Sequence, residues 1–244
     1  MRDYQQETEQ RVRFIKDLLA DSGAKGVVFG SSGGKDSALV GILCKMAASD
    51  TLGVIMPCES LQNYESDRDD AMLLAKAYDI ETIEVDLSRT KQDMRAAITA
   101  GLNNELNSTA DININPRLRM AALYAIAAAR GYLVAGTGNK SETHLGYFTK
   151  WGDGACDFNP IADLTVKEVF EFLSFLKAPE EFWTKAPSAG LFPGQTDESD
   201  MGFAYDEVDD FLLNGIKGDN YAKIEQRHNA TAHKRRPIAI YKQP

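Results

Sequence analysis

Four short apolar runs alternate with longer stretches of helical period along this chain. The runs are Gly26-Val27-Val28-Phe29, then Leu52-Gly53-Val54-Ile55-Met56 ending at Pro57, then the alternating segment Ile80 to Leu87, and finally Tyr132-Leu133-Val134-Ala135 leading into Gly136. Continuous apolar runs of this length predict strands buried on both faces, which belong to parallel sheets. Helices are predicted about Gln5 to Ser22, with Val12, Ile15, Leu18 and Leu19 on one face, and over Ala38 to Met46. Others are predicted over Ser66 to Tyr78 and over Pro116 to Arg130, where proline is acceptable in the first turn. Segments 165–176, 205–214 and 219–228 also read as helices, whereas 186–204 is rich in Gly, Pro, Ser and Asp and reads as a loop of the lid kind. Strand and helix in alternation predict an α/β fold: an open, doubly wound parallel sheet, Rossmann-like, with helices on both faces.

The turn after the first strand, Phe29-Gly30-Ser31-Ser32-Gly33-Gly34-Lys35-Asp36-Ser37, changes the picture from architecture to chemistry. Gly33 and Gly34 allow a ligand to approach the main chain, and the N–H groups opening the next helix converge on one point with the positive end of its dipole. Ser32 and Ser37 add hydroxyl donors. Asp36 is the odd member, because a carboxylate beside bound phosphate is repelled unless a divalent cation lies between them; it reads as a Mg²⁺ ligand. A Walker A loop is excluded, since only three residues separate Gly30 from Gly34 and Asp36, not Ser or Thr, follows Lys35. Helix capping alone is the competing explanation of the turn.

A second dense stretch follows the fourth strand: Gly136-Thr137-Gly138-Asn139-Lys140-Ser141-Glu142, then Phe148-Thr149-Lys150-Trp151-Gly152-Asp153-Gly154-Ala155-Cys156-Asp157. Its turn opens toward the same end of the sheet as the first, so two turns line one crevice. Glu142 is a candidate second carboxylate for the metal at Asp36, or else a charge compensating a helix dipole. His144 packs or faces water, and Phe148 and Trp151 either stack on a ring or fill a loop.

Bulk properties narrow the class. A length of 244 residues fits one domain, 1–244, and 43% hydrophobic content is enough for a core. No apolar run approaches the roughly 18 residues of a membrane span and no signal peptide opens the chain, which makes a cytoplasmic location the expectation. Cys44, Cys58 and Cys156 form no CxxC pair, so reduced thiols are expected. A net charge of −9 argues against a general nucleic-acid binder. Local basic clusters, Arg117 with Arg119 and His233-Lys234-Arg235-Arg236, suit a small anion, although a solvated surface explains either one.

The wording Ser-Gly-Gly-Lys-Asp-Ser resembles the pyrophosphate loop of ATP pyrophosphatases, the adenine nucleotide alpha-hydrolase-like group. With the Gly136 to Asp157 stretch, Asn113 to Met120, Lys185 to Leu191 and Tyr205 to Asp209, the resemblance is to the ammonia-dependent NAD synthetases over roughly residues 26 to 236. That family makes NAD from deamido-NAD, ATP and ammonia through an adenylylated nicotinate carboxylate, releasing AMP and pyrophosphate. The resemblance implies ATP phosphates at Gly30, Ser31, Ser32, Gly33, Gly34, Lys35, Asp36 and Ser37, further ATP contacts from Thr137 and Ser188, and Mg²⁺ at Asp36 and Glu142. It implies deamido-NAD contacts from Arg117, Lys150, Asp157, His233 and Lys234, with Asp157 able to direct the incoming amine. No glutaminase segment fits, so ammonia is expected to arrive free or from another protein.

Two positions depart from the family pattern. Val166 stands where a lysine is frequent, with Lys167 one place later, and Ser188 stands where threonine is frequent. The 116–130 helix, with Met120, Ala121, Leu123, Tyr124, Ile126, Ala127 and Ala128, is apolar nearly all round. One side suits the core and the other a subunit interface, as in this family's homodimers. A GMP synthetase subunit and a nucleotide-binding regulatory module are the alternatives; the Gly-Thr-Gly-Asn-Lys-Ser-Glu and Phe-Thr-Lys-Trp-Gly-Asp-Gly stretches weigh against the first.

Overall fold

The computed structural model describes residues 2–59, 64–184 and 197–241. Strands β1 (Gly26–Gly30), β2 (Thr51–Ile55), β3 (Glu81–Glu84) and β4 (Tyr132–Ala135) pair in parallel in the order β3-β2-β1-β4. All five residues of β2 are buried, as the continuous apolar run requires. The strand predicted over Ile80 to Leu87 is shorter as an element, but its pairing runs on. Val85 donates its N–H to the Ile55 carbonyl and Leu87 to the Pro57 carbonyl, at 2.9 and 2.8 Å. Pro57 has no N–H to return, which ends the regular ladder there.

The helices are α1 (Tyr4–Ser22), α2 (Lys35–Ala47), α3 (Tyr64–Tyr78), α4 (Ser88–Leu102), α5 (Ser108–Ile112), α6 (Ile114–Arg130) and α7 (Lys140–Leu145). After them come α8 (Val166–Phe175), α9 (Glu181–Thr184), α10 (Asp197–Met201), α11 (Tyr205–Asn214), α12 (Tyr221–Ala230) and α13 (Ala232–Arg235). One face of the sheet, through Val27 and Phe29, packs on α1, α2, α3 and α8 by way of Ile15, Leu39, Leu74 and Phe172. The other, through Val28, Leu52 and Val54, packs on α6 by way of Leu123, Ile126 and Ala127. Gly41 lets α2 lie flat on the sheet: a Cβ there would sit 2.7 Å from the ring of Phe29.

Chain order explains where a ligand goes. The β1-α2-β2-α3-β3 path winds outward on one face, and α4, α5 and α6 then carry the chain back across the other face to place β4 beside β1. Winding direction therefore reverses at β1, and the crevice opens between the carboxyl ends of β1 and β4.

Several elements differ from the sequence reading. Helices α4 and α5 were not predicted, and ion pairs between distant segments help to hold them. Lys91, buried, lies 3.3 Å from Glu59 and 3.2 Å from Asp111, and Arg95 reaches the same two carboxylates at 2.9 and 3.3 Å. Helix α9, one turn long, was not predicted either. Within the loop expected over 186–204, residues 197–201 form α10, while 186–196 lie outside the described residues.

Candidate functional site

At the end of β1 the chain turns through Ser31 to Gly34 and enters α2 with Gly34 as its N-cap, which supplies no capping side chain. The N-cap residue thus offers no side chain to the first N–H groups of α2, and a helix start of this kind suits an anion. The turn is internally braced: the Ser32 and Ser37 hydroxyls lie 3.1 Å apart, and the Ser37 hydroxyl donates to the Gly34 carbonyl at 2.9 Å. Gly33 has φ +77°, and a Cβ there would lie 2.2 Å from the Asp67 carbonyl oxygen on α3. Both the backbone angle and the contact demand glycine.

The second turn, after β4, ends at Asn139, the N-cap of α7. Its side-chain oxygen accepts from the Glu142 N–H at 3.0 Å, and its own N–H donates to Glu142 Oε2 at 3.0 Å, a reciprocal capping box. The remaining side-chain group, Nδ2, donates to Asp36 Oδ1 at 3.1 Å. Asp36 Oδ2 accepts from the Lys35 ammonium at 2.7 Å. Asp36 and Glu142, predicted as paired metal ligands, therefore meet on one buried asparagine. Among the described residues no group of three or more His, Cys, Asp and Glu gathers to hold a metal ion. A cation between these two carboxylates thus needs further oxygens from a ligand, and their donors are of the hard type that Mg²⁺ takes.

The two turns open into a cavity of about 940 Å³, lined by Gly30 through Ser37, Thr137, Glu142 and Lys234, with Val54, Ile55, Met56 and Leu123 as an apolar wall. That volume suits a nucleotide. Three cations on its wall have only neutral hydrogen-bond partners among the described residues. Arg119 donates through Nε to the Met56 carbonyl at 3.0 Å. Lys234 donates to the carbonyls of Gly146 and Phe148 at 2.8 and 2.7 Å, and Arg235 to the Thr143 carbonyl, the Thr231 hydroxyl and the His228 carbonyl. Burial, first among the causes, lowers the pKa of all three. Arg95, outside the cavity, is raised instead by its hydrogen bond to Glu59. Asp153 acts on Arg119 and Lys234 only through its charge, and partly desolvated cations whose hydrogen bonds go to neutral groups favour an anionic guest.

The residues expected to meet deamido-NAD divide into two groups. Arg117, Lys150 and His233 form a linked rim: Arg117 donates to the Lys150 carbonyl at 3.4 Å and the Lys150 ammonium to the His233 carbonyl at 2.9 Å. Lys234 reaches from this rim into the cavity. Asp157 sits elsewhere, exposed beside α6, accepting from the Val134 N–H at 2.8 Å and the Tyr124 hydroxyl at 3.2 Å. Ser188 lies outside the described residues. Lys167 is exposed and does not line the cavity, while Val166 is buried, so this helix offers no lysine to the cavity in place of the family's.

Of the two loop aromatics, Phe148 lines the cavity and Trp151 is 53% exposed. His144 packs: its ring stacks on His228 with centroids 4.2 Å apart. Burial, then the neighbouring cations, push its pKa down to about 4. Asn139 and Arg119 were not singled out as site residues by the sequence reading. The Asn139-x-x-Glu142 spacing is a capping-box signal that was available. Arg119 was paired with Arg117 as one basic cluster, and only the fold separates the cavity-facing residue from the exposed one.

Residues 7–238 match the family model described as NAD synthase. The chain belongs to the NAD synthase family. It is 45% identical to the NH(3)-dependent NAD(+) synthetase of Carboxydothermus hydrogenoformans over 87% of both chains. It is 37% identical to that of Archaeoglobus fulgidus over 97% of both. Among solved structures it superposes on the NMN synthetase of Francisella tularensis with TM-score 0.92, 33% identity and full coverage of both chains. The NH3-dependent NAD synthetase of Campylobacter jejuni follows with TM-score 0.79 and 31% identity, over 99% of this chain and 100% of that one. The family agrees with the α/β reading of the fold and with the resemblance read from the motifs.

Proposed function

We propose that this chain makes NAD from deamido-NAD, ATP and ammonia as an amide-forming ligase, with 1–244 acting as one catalytic unit. The observation that carries the reading is the convergence of an uncapped helix start, two carboxylates and three neutral-partnered cations on one nucleotide-sized cavity.

The chemistry runs in two displacements. A nicotinate carboxylate oxygen attacks the α-phosphorus of ATP, the bond from that phosphorus to the bridging oxygen breaks, and pyrophosphate leaves. Ammonia then attacks the acyl carbon, the bond to the adenylate oxygen breaks, AMP leaves with the electron pair, and nitrogen gives up a proton. The N–H groups at the start of α2, with Ser32 and Ser37, would hold the phosphates, and Asp36 and Glu142 are the residues that would hold Mg²⁺. Bound Mg²⁺ supplies charge neutralisation at the phosphates. Lys234 and Arg235 put positive charge where negative charge gathers, and the rim of Arg117, Lys150 and His233 holds the deamido-NAD. No residue forms a covalent intermediate in this scheme; positioning and electrostatics supply the rate.

Homodimer formation belongs to the same reading. Ala121, Ala125 and Ala128 form an exposed stripe on the outer side of α6, next to Tyr124 and Asp157. A partner covering that stripe brings Asp157 to a deamido-NAD near the interface. Light scattering at micromolar concentration is expected to give twice the chain mass, and a monomer mass removes this part. Cys44, Cys58 and Cys156 are free thiols, which suits a cytoplasmic setting. No described helix is long and apolar enough to cross a membrane.

The test is production of AMP and pyrophosphate from ATP with deamido-NAD, ammonium and Mg²⁺. ATP bound without turnover refutes the reading. A second reading, amidation of nicotinate mononucleotide, is favoured by the full-length superposition on the Francisella tularensis NMN synthetase. The ratio of kcat/KM for the dinucleotide and the mononucleotide decides between them.

A further inference from the structure

The two candidate metal ligands come from turns at the ends of different strands, and nothing in either turn alone fixes one carboxylate relative to the other. Asn139 does. It is fully buried, and all three of its polar side-chain and amide functions point at the pair: Nδ2 to Asp36 Oδ1 at 3.1 Å, Oδ1 to the Glu142 N–H at 3.0 Å, and its own N–H to Glu142 Oε2 at 3.0 Å. We propose that Asn139 is the positioning residue of the metal site, a strut that holds the Asp36 carboxylate of the β1 turn at a set separation from the Glu142 carboxylate of the β4 turn.

The arrangement assigns different tasks to the two groups touching Asp36. Asn139 is neutral and takes one oxygen, Oδ1, leaving the carboxylate its full negative charge. Lys35 takes the other, Oδ2, at 2.7 Å, and is the cation that balances Asp36 when no metal is bound. A divalent ion held at Asp36 would compete with the Lys35 ammonium for the carboxylate's charge, whereas the neutral Asn139 contact at Oδ1 would not compete with it. Second partners of metal ligands generally fix the ligand's orientation in this way. The asparagine is suited to both sides of the strut because its amide offers an acceptor for the helix N-cap and a donor for the carboxylate at once.

The proposal rests on the metal reading given above, and the experiment separates the two. Asn139→Ser keeps a capping oxygen and the main-chain N–H, so α7 and its hold on Glu142 survive; only the donor to Asp36 is lost. With Mn²⁺ as probe in the presence of ATP, electron paramagnetic resonance is expected to show Mn²⁺ affinity lowered about tenfold or more in Asn139→Ser. Its thermal unfolding without metal stays cooperative, with Tm lowered by the loss of one charge-assisted hydrogen bond. In a cycle with Asp36→Asn the two effects on Mn²⁺ affinity are not additive, because Asn139 acts through Asp36. Wild-type Mn²⁺ affinity in Asn139→Ser overturns the proposal while leaving the metal site standing. Absence of Mn²⁺ binding to the wild type with ATP overturns the metal reading itself and the strut with it. Should Asn139→Ser fail to fold, Asn139→Asp keeps the shape and the cap but faces Asp36 with a second carboxylate. Its melting temperature is expected below that of the wild type in metal-free buffer, with the gap closing when Mg²⁺ is added. A gap indifferent to Mg²⁺ overturns the proposal.

Discussion

Replacing Gly33 by alanine tests the phosphate turn where it is most tightly constrained, and the chain contains its own control. Gly33 and Gly23 share nearly the same backbone angle, φ +77° and +69°, but differ in surroundings. Nothing lies within 4 Å of a Cβ placed at Gly23, whereas one at Gly33 lies 2.2 Å from the Asp67 carbonyl oxygen and 2.9 Å from the Asp67 carbonyl carbon. Both substitutions carry the left-handed cost for an L-residue, about 1–2 kcal/mol, partly offset by about 0.4–1 kcal/mol of lost freedom in the unfolded chain. Only Gly33→Ala must also push backbone aside, which in packed sites costs about 1–3 kcal/mol. The excess of Gly33→Ala over Gly23→Ala is therefore about 1–3 kcal/mol, a further fall in Tm of about 2–12 °C for a chain of this size. If the turn gives way rather than α3, the loss moves from stability to function and ATP affinity drops instead. Thermal unfolding of both variants, with ATP binding by calorimetry, reads both arms. Gly33→Ala matching Gly23→Ala in Tm, with ATP affinity intact, refutes the reasoning.

The other predictions concern charge. Asp36→Asn is expected to fold normally and to lose AMP formation by orders of magnitude, since metal-borne charge stabilisation is worth several kcal/mol; near-wild-type turnover removes the metal assignment. Arg119→Met should weaken ATP binding about tenfold, because a charge-assisted hydrogen bond is worth about 1.5–3 kcal/mol, yet leave urea stability unchanged or raised, since the desolvated cation that is lost is hydrogen-bonded only to a neutral carbonyl; equal ATP affinity refutes its anion-binding role. His144, with a folded pKa of about 4 against an ordinary 6.5, binds its proton first in the unfolded chain. Its contribution is present above pH 6.5 and lost as pH falls toward 4, by about 1–2 kcal/mol after allowing for its partial exposure. Urea titrations in metal-free buffer should show a shallower pH dependence for His144→Phe, and parallel curves refute it.

What the sequence made legible follows from the range of each signal. Buried strands and the glycine-rich turn that follows the first are written in adjacent residues, so the strand at Gly26 to Phe29 and the turn into the next helix were readable without a fold. Helices α4 and α5 were not, because Lys91, Arg95, Glu59 and Asp111 stabilise them through charges drawn from three separate segments. Within the site, residue type told which side chains suit phosphate or metal but not which share a cavity. Arg117 and Arg119 are two apart on one helix, yet the first lies on an exposed rim and the second on the cavity wall.

Asn139 shows the same limit from the other direction. Its capping relation to Glu142 spans three residues and is local; its bond to Asp36 spans 103 residues and exists only once β4 has been laid beside β1. The reversal of winding at β1 is therefore what creates the site: a carboxylate that would repel phosphate in its own turn acquires a second carboxylate and a neutral brace from the far side of the crossover. A fold with the same local turns but β4 added beyond β3 would keep the start of α2 and part Asp36 from Glu142. In the function proposed above, the topology rather than either motif alone would join nucleotide binding to a place for a divalent ion, the combination that adenylyl transfer needs.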